Sequence, residues 1–340
     1  MDDLNYGARN KRGDWSPGEA AATAPLFVLP PQPLKLLKWL PSYFLPYNLL
    51  FALSAVAWWH WVLPDVETMK SLAFGWVFRL FAVNCIAVFV FYGAFELRLY
   101  VWRAQGNRFK YNARWPSEQR SRAFFFERQN LDNMMRAFGT GLPIWTAIEV
   151  GFLHAFANGY VPWLGFAENP WYLFALALAV PIIHETHFYI LHRTLHSRPL
   201  YKWVHSVHHN SVNPSPWSSL SMHPVEHLGY LGVALWHLVI PSNPIIALYQ
   251  LHFAGFGAIP GHIGFDKIEV TENAAFDSHA YIHCLHHKHF EVNYGDGLIP
   301  FDKWFGTFHD GSREGEARMR ARTKERANGK AQAKSAATAD

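Results

Sequence analysis

The chain has 340 residues, half of them apolar, with 27 Phe, 15 Trp and 14 Tyr. This aromatic content is enough for a large core, and Trp and Tyr suit a membrane interface. The net charge of +4 is too small to indicate a nucleic-acid-binding protein. The two cysteines, Cys85 and Cys284, do not make a disulfide framework.

Residues 1–40 are rich in Pro, Ala and charged side chains, and they predict a mobile tail without the pattern of a cleaved signal peptide. Four apolar runs follow, and each reaches the roughly 20 residues that a helix needs to cross the hydrocarbon layer. They cover about 44–63, 73–95, 137–159 and 171–191. The sequence therefore predicts about four transmembrane helices, with residues 41–136 forming an N-terminal transmembrane hairpin and a basic loop.

The charges between these runs predict an orientation. Residues 96–136 carry nine Lys and Arg, whereas residues 160–170 carry none. Cytoplasmic loops carry an excess of Lys and Arg, so both termini and the 96–136 loop are expected in the cytoplasm. The expected location is a bacterial inner membrane or the endoplasmic reticulum.

A further apolar stretch, residues 228–257, is interrupted at Pro241 and Pro244. Its two halves of about 13 residues are too short to span a bilayer at 1.5 Å per residue. They predict a re-entrant or interfacial hairpin. Residues 311–340 are predicted to form a disordered basic tail. The predicted fold class is an all-α integral membrane protein with a cytosolic helical cap.

Eighteen of the 20 histidines lie between His184 and His309. Within three clusters they are spaced three or four residues apart, which places side chains on one face of a helix. The clusters are His192 and His196; His205, His208 and His209; and His283, His286 and His287. Burying eight imidazoles without a ligand would be costly. The pattern therefore predicts a metal site with room for two ions, although imidazole binds Fe, Zn, Cu and Ni alike.

From about residue 137 to 311 the chain resembles the sterol desaturase and fatty acid hydroxylase superfamily of membrane-bound histidine-box di-iron oxidoreductases. The segment Glu185-x-x-x-Tyr189-x-x-His192-Arg193-x-x-His196 is similar to its first histidine box. HSVHH and HCLHH are similar to its later boxes, and GHIGF to an isolated ligand position. Two departures are Glu185, where Asp is common, and Phe301, where Trp is usual. The resemblance implies a catalytic domain over residues 137–310.

The resemblance also implies a set of metal ligands, which are His192, His196, His205, His208, His209, His262, His283, His286 and His287. Further side chains are expected either to bind metal or to support the ligands, namely His187, His223, His279, His289, Glu226 and Asp266. The choice of iron rests on the membrane setting and on the resemblance. Lone histidines such as His60 are expected to have ordinary structural roles.

The function implied by the resemblance is hydroxylation or desaturation of a membrane lipid C–H bond. It would use two iron ions (Fe2+/Fe3+) and O2, because acid–base side chains cannot break such a bond. A sterol or related isoprenoid lipid is favoured over a fatty acyl chain. The chain has no GxGxxG fingerprint, so electrons must arrive from a donor such as a ferredoxin or a b-type cytochrome fed by NAD(P)H.

Two functions of other classes stay open at this point. A metal transporter would use histidines to line a permeation path, since polar residues inside a membrane mark such paths. A zinc hydrolase of lipids would need an open zinc site and a carboxylate base, for which Glu185 and Glu226 are candidates.

Overall fold

The computed structural model describes residues 1–116 and 120–336. Three residues of the predicted basic loop, Ser117, Glu118 and Gln119, and the last four residues of the predicted basic tail lie outside the described residues. Most of the described chain is helical, and its four short strands form two antiparallel hairpins. The predicted all-α fold class is confirmed.

Three helices of the described chain are long and apolar enough to cross a membrane, judged by length and composition. The first, Pro33–Val62, consists of α1 (Pro33–Phe44), α2 (Tyr47–Ala57) and a π-helical turn. The second, Phe74–Val101, is α4 (Phe74–Glu96) with a π-helical turn, and the short α3 (Val66–Met69) precedes it. The third is α7 (Pro170–Leu195).

Four such helices are predicted, and the run at 137–159 is not among the three that have this length and composition. It follows α5 (Gln129–Arg136) and consists of a π-helical turn and α6 (Leu142–Ala157). Ten of the 16 residues of α6 are buried inside the protein. Its apolar side chains pack against neighbouring helices, as Trp145 does against Phe256 with ring centroids 5.2 Å apart. A buried core helix and a membrane span have the same apolar signature in sequence.

The predicted hairpin at 228–257 is present, and its turn lies at the two prolines. The first arm is α10 (Pro224–Leu231) followed by a 3-10 helix (Gly232–Leu238), and the second is α11 (Pro244–His262). At 19 residues α11 is longer than predicted, and most of its side chains are buried. It packs against α2, α6 and α7 and ends at His262, so it brings a predicted ligand to the base of the bundle.

Short elements after α7 build the cap. The helical ones are α8 (Arg198–Leu200), a π-helical turn (Tyr201–His205), α9 (Ser206–His209), a 3-10 helix (Pro216–Leu220), α12 (Tyr281–His289) and α13 (Phe301–Trp304). An antiparallel hairpin of β3 (Lys267–Thr271) and β4 (Ala274–Asp277) joins α11 to α12, with Lys267 opposite Asp277.

Both termini are more regular than the sequence predicts. In the segment predicted as a mobile tail, β1 (Gly7–Arg9) and β2 (Trp15–Pro17) form a hairpin. Trp15 is buried against Phe109 with ring centroids 5.5 Å apart, which anchors a segment whose composition alone looks unstructured. In the segment predicted as a disordered tail, α14 runs over Arg313–Ala336, because its Ala, Arg, Glu and Lys are strong helix formers.

Candidate metal centre

The nine histidines predicted as ligands converge from four parts of the chain. They come from the end of α7, the α8–α9 segment, the end of α11, and α12. Their ring nitrogens form two groups, and within each group the ligand atoms lie within 4.8 Å of one another. The five-histidine group is His192, His196, His205, His209 and His286. The four-histidine group is His208, His262, His283 and His287.

Helix periodicity explains which histidines stay together in a group. Residues four apart on a helix share a face, so each such pair stays in one group. The pairs are His192 and His196, His205 and His209, and His283 and His287. Adjacent residues on a helix point about 100° apart. The neighbours His208 and His209, like His286 and His287, lie in different groups.

The distances between ring nitrogens suit ligands of one ion. In the four-histidine group the Nε2 atom of His262 lies 3.1 Å from that of His208 and 3.0 Å from that of His283. In the five-histidine group Nε2 of His286 lies 3.0 Å from that of His209. Two imidazole nitrogens, each about 2.0–2.1 Å from a shared ion, are about 3.0–3.4 Å apart.

The hydrogen bonds on the far side of two rings show that these contacts need a cation. His208 Nδ1 lies 3.3 Å from the carbonyl oxygen of Ser221, and His262 Nδ1 lies 2.8 Å from that of Ala258. A carbonyl oxygen only accepts, so in each neutral ring Nδ1 carries the proton and Nε2 presents a lone pair. Two lone pairs 3.1 Å apart cannot hydrogen-bond to each other. A metal ion between them satisfies both, so these residues fit the implied metal.

Partners in other elements orient three rings of the five-histidine group. His192 Nδ1 donates to the carbonyl oxygen of Tyr294 at 2.7 Å, and His286 Nδ1 donates to that of Val292 at 2.6 Å. His205 Nδ1 lies 2.7 Å from Oε1 of Glu226. Such contacts fix the ring orientation and the tautomer of a metal-binding histidine.

Two carboxylates hold the loop that supplies the Tyr294 carbonyl. Glu185 Oε1 accepts backbone N–H groups from Asp296 and Gly297, each at 3.1 Å. Asp302 Oδ1 accepts the N–H of Tyr294 at 3.0 Å. Glu185 therefore connects α7 to the loop that orients the rings of α7 and α12.

Burial sets the protonation state of the ligand rings. It lowers the pKa of His262 to about 4. It also lowers the pKa of other ring ligands well below the usual histidine value, with further lowering from neighbouring histidines; these are His205, His208, His209, His283, His286 and His287. The rings are therefore neutral at pH 7, which is the form that binds a metal. Burial raises the pKa of Glu226.

One cavity of about 440 Å³ reaches both groups, a volume typical of small-molecule sites. Histidines of both groups line it, namely His192, His205, His208, His262 and His283. Apolar side chains from the helical bundle form much of the remaining wall, including Phe51, Phe188, Met222 and Phe253. The cavity can therefore place an apolar molecule directly against the metal-binding rings.

Comparison with known proteins identifies the segment that carries this centre. The sequence model of the family described as fatty acid hydroxylase matches residues 177–307, which include all nine histidines. This segment is therefore similar to the fatty acid hydroxylase family. No solved structure matches the chain.

The proteins that the chain is similar to include some that are named for sterol oxidation. A delta(7)-sterol 5(6)-desaturase of Gibberella zeae is 28% identical over 178 residues, covering 51% of this chain and 49% of the relative. A methylsterol monooxygenase 1 of Danio rerio is 31% identical over 139 residues, covering 40% and 47%. A delta(7)-sterol 5(6)-desaturase of Saccharomyces cerevisiae is 26% identical over 174 residues, covering 44% and 46%. The chain spans about half the length of the curated relatives it matches.

Of the six further candidates, Glu226 contacts a predicted ligand, whereas the other five lie outside both groups. His187 Nε2 lies 2.8 Å from the carbonyl oxygen of Gly229. His223 Nδ1 accepts the N–H of Val225 at the start of α10. Asp266 accepts a hydrogen bond from the Tyr111 hydroxyl at 2.9 Å, and the His279 ring contacts Tyr47.

His289 lies in a third cluster with His309 and Glu316, and these last two residues follow the end of the family match at residue 307. Its Nε2 is 3.2 Å from Glu316 Oε1. His309 Nδ1 accepts the N–H of Gly311 at 2.9 Å, so in the neutral ring the proton lies on Nε2. A protonated Nε2 cannot bind a metal, and we do not assign an ion to this cluster.

Sequence reasoning included Glu226, which contacts His205, but missed the backbone groups that orient the other rings. Tyr294, Val292, Ser221 and Ala258 act through backbone carbonyls, and a backbone group leaves no signal in the residue type. Asp302 is different, because it lies in the FDKW segment that resembles the superfamily. The acidic side chain in this segment could have been predicted to support the metal centre.

Proposed function

We propose that the chain is a membrane-bound di-iron enzyme that uses O2 to hydroxylate or desaturate a C–H bond of a sterol or related isoprenoid lipid. The observation that carries this proposal is that two adjacent groups of buried, neutral imidazoles face one largely apolar cavity. The names of the relatives, sterol desaturase and methylsterol monooxygenase, support a sterol over a fatty acyl chain. A fatty acyl hydroxylase of the same superfamily is the second candidate.

Iron is proposed because imidazole ligands accept several metals and the reaction needs a redox-active one. When bound, two iron ions supply the activation of O2 that side chains cannot provide. The residues of the chain have three roles in the proposed reaction. The cavity wall holds the lipid and excludes water, the carbonyls of Tyr294 and Val292 orient His192 and His286, and Glu226 orients His205.

The reaction needs an external reductant. Hydroxylation converts the lipid C–H bond, O2, two electrons and two protons into an alcohol and one water molecule. Desaturation removes two hydrogens from the lipid and, with the same electrons and protons, gives two water molecules. The proposed donor is a ferredoxin or a b-type cytochrome that receives electrons from NAD(P)H.

The proposed orientation places both termini and the histidines in the cytoplasm. It requires an even number of crossings, so the π-helical turn and α6 would form a fourth crossing inside the helical bundle. Three exposed basic residues lie at the end of α7 and just after it, namely Arg193, Arg198 and Lys202. With the basic residues of the 96–136 segment they support a cytoplasmic face on this side.

The two functions of other classes fit the geometry less well. A transporter needs polar groups along a path, whereas these histidines are gathered where α7 and α11 end. A zinc hydrolase needs an available carboxylate as a base. Glu226 contacts His205, and Glu185 is engaged by two backbone N–H groups.

The test compares His286→Ala with the matched control His60→Ala, since His60 is exposed and lies outside both groups. Membranes that contain each variant are assayed for bound metal and, by mass spectrometry under isotopically labelled O2, for oxidised lipid. The wild type and His60→Ala should carry two irons per chain and give a lipid that has gained oxygen or lost two hydrogens. His286→Ala should remain in the membrane without product. Wild-type turnover by His286→Ala, or a single zinc per chain, would refute the proposal.

A further inference from the structure

The open end of the cavity is built partly by residues outside the superfamily match. Residues 17–24, which we call the strap, contribute Pro17, Glu19, Ala21, Ala22 and Ala24 to the cavity wall. The match begins only at residue 177. The strap is therefore a place where this chain can differ from its relatives in what the cavity admits.

The strap is held in place by contacts with the cap. The N–H of Ala21 donates to the carbonyl oxygen of Asp310, and the N–H of Ala24 donates to that of Gly297, each at 2.8 Å. Lys303 Nζ donates to the Thr23 hydroxyl at 3.0 Å. These bonds fix the strap against the same loop that carries Tyr294, so it is a defined part of the wall.

The charges that line the cavity are all of one sign. Its carboxylates are Glu19, Glu226, Asp266, Asp277 and Asp296, and no Lys or Arg is among the described lining residues. Glu19, Asp277 and Asp296 are exposed, so they mark where the cavity opens to water. Asp277 forms an ion pair with Lys267, whereas Glu19 and Asp296 form no ion pair among the described residues.

Two buried polar atoms of the cavity wall indicate what kind of ligand the cavity accepts. His184 and Glu226 both line it and are each 4% exposed. His184 Nδ1 and Glu226 Oε2 have no hydrogen-bond partner in the described part of the chain. An unpaired buried polar atom is costly unless a ligand satisfies it. A hydroxyl can do so from within an apolar wall, because it both donates and accepts.

From these observations we infer that the opening selects for head-group charge, admitting lipids with an uncharged polar head such as a hydroxyl and rejecting anionic lipids. This inference rests on the proposed function, because it assumes that the cavity holds the lipid substrate. Carboxylates at the opening repel a carboxylate, sulfate or phosphate head. Glu19 of the strap and Asp296 of the cap are the selecting residues.

The experiment measures binding, so it does not depend on turnover. Purified, metal-loaded protein in uncharged detergent is titrated with cholesterol and with cholesterol sulfate, which share a ring system and differ in head charge. Each displaces a bound fluorescent sterol. We expect cholesterol sulfate to bind about tenfold more weakly than cholesterol at low salt, as a few like charges near a protein surface would produce. The difference should shrink as salt rises.

Charge reversal tests which residues select. The double variant Glu19→Lys with Asp296→Lys should bring the two affinities within about twofold, since each substitution replaces a repulsive charge with an attractive one. Its matched control is Glu67→Lys with Glu168→Lys, which makes the same change in net charge at two exposed residues that do not line the cavity. The control should keep the wild-type difference.

Three results would overturn the inference. They are equal affinities in the wild type, the same shift in the control variant, and no displacement of the fluorescent sterol by either lipid. If the charge preference is found but no lipid is oxidised, the proposed function fails while the selection at the opening stands.

Discussion

The two histidine groups differ in how much the protein itself holds them in place. In the five-histidine group, Tyr294, Val292 and Glu226 orient three rings from other elements. In the four-histidine group, His262 bonds within its own helix and His208 makes a longer contact of 3.3 Å.

The ring nitrogens that lack a hydrogen-bond partner support the same difference between the two groups. Among the buried ring nitrogens of the described residues, Nδ1 of both His283 and His287 has no hydrogen-bond partner, whereas the five-histidine group has one such buried atom, on His209. The comparison indicates that the first group is largely organised by the protein and that the second depends more on its ion.

The largest effect should come from removing one ligand of either group, and the neighbours His208 and His209 allow a matched pair. His208→Ala removes one of four ligands, so we expect that group to lose its ion. His209→Ala removes one of five, so we expect its ion to stay with lower affinity. Both variants should lose measurable product formation, because the proposed reaction uses both ions. Metal per chain and oxidised lipid are the measurements.

The variants His208→Ala and His209→Ala test the difference between the two groups directly. If His209→Ala loses as much metal as His208→Ala, the contacts from Tyr294, Val292 and Glu226 do not stabilise the five-histidine group. Retention of both ions and of activity in either variant would contradict the division into two groups.

A smaller effect should follow from Glu226→Gln, which keeps the size of the side chain and an acceptor for His205 but removes its charge. Loss of such a partner lowers metal affinity by about ten- to a hundredfold. We expect one ion per chain to be lost at a lower chelator concentration while the other is retained as in the wild type. The control is Asp266→Asn, a carboxylate of the same cavity that contacts Tyr111. Equal weakening of both ions would show that Glu226 does not act through His205.

The smallest effect concerns His227, a buried histidine outside both groups that shows what burial alone does. Its Nε2 lies 3.0 Å from the carbonyl oxygen of Leu220, and burial lowers its pKa to about 4. Because the unfolded ring has a pKa near 6.5, its contribution to stability is complete above pH 6.5 and is lost as pH falls towards 4.

The measurement is denaturation of wild type and His227→Gln in detergent at pH 7.5 and pH 5. On acidification the variant should lose about 2 kcal/mol less of its free energy of unfolding than the wild type does. An identical loss in both proteins would mean that His227 takes up its proton in the folded state as well.

The sequence predicted the residues of the centre better than their arrangement. Spacing of four along a helix identified pairs such as His283 and His287, and periodicity keeps each pair in one group. The assignment of His208 and His209 to different groups depends on the direction of a short helix, which spacing does not fix. His262 is isolated in sequence, and the resemblance alone marked it.

The membrane-spanning helices were predicted less well, for a related reason. Hydrophobicity identifies a side chain that avoids water, but it does not distinguish lipid from protein as its surroundings. The run at 137–159 therefore predicted a span, whereas α6 is packed inside the protein. The N-terminal segment was predicted to be a mobile tail. It contains a hairpin that a single buried residue, Trp15, anchors.

The peptide bonds that join His208 to His209 and His286 to His287 have a mechanical consequence. Each bond connects a histidine of one group to a histidine of the other, on two separate helices. The spacing between the two groups is then set by backbone geometry and not by the occupant of the cavity. Neither α9 nor α12 can tilt without moving histidines of both groups at once, so the two groups should respond to a bound lipid as a single rigid unit.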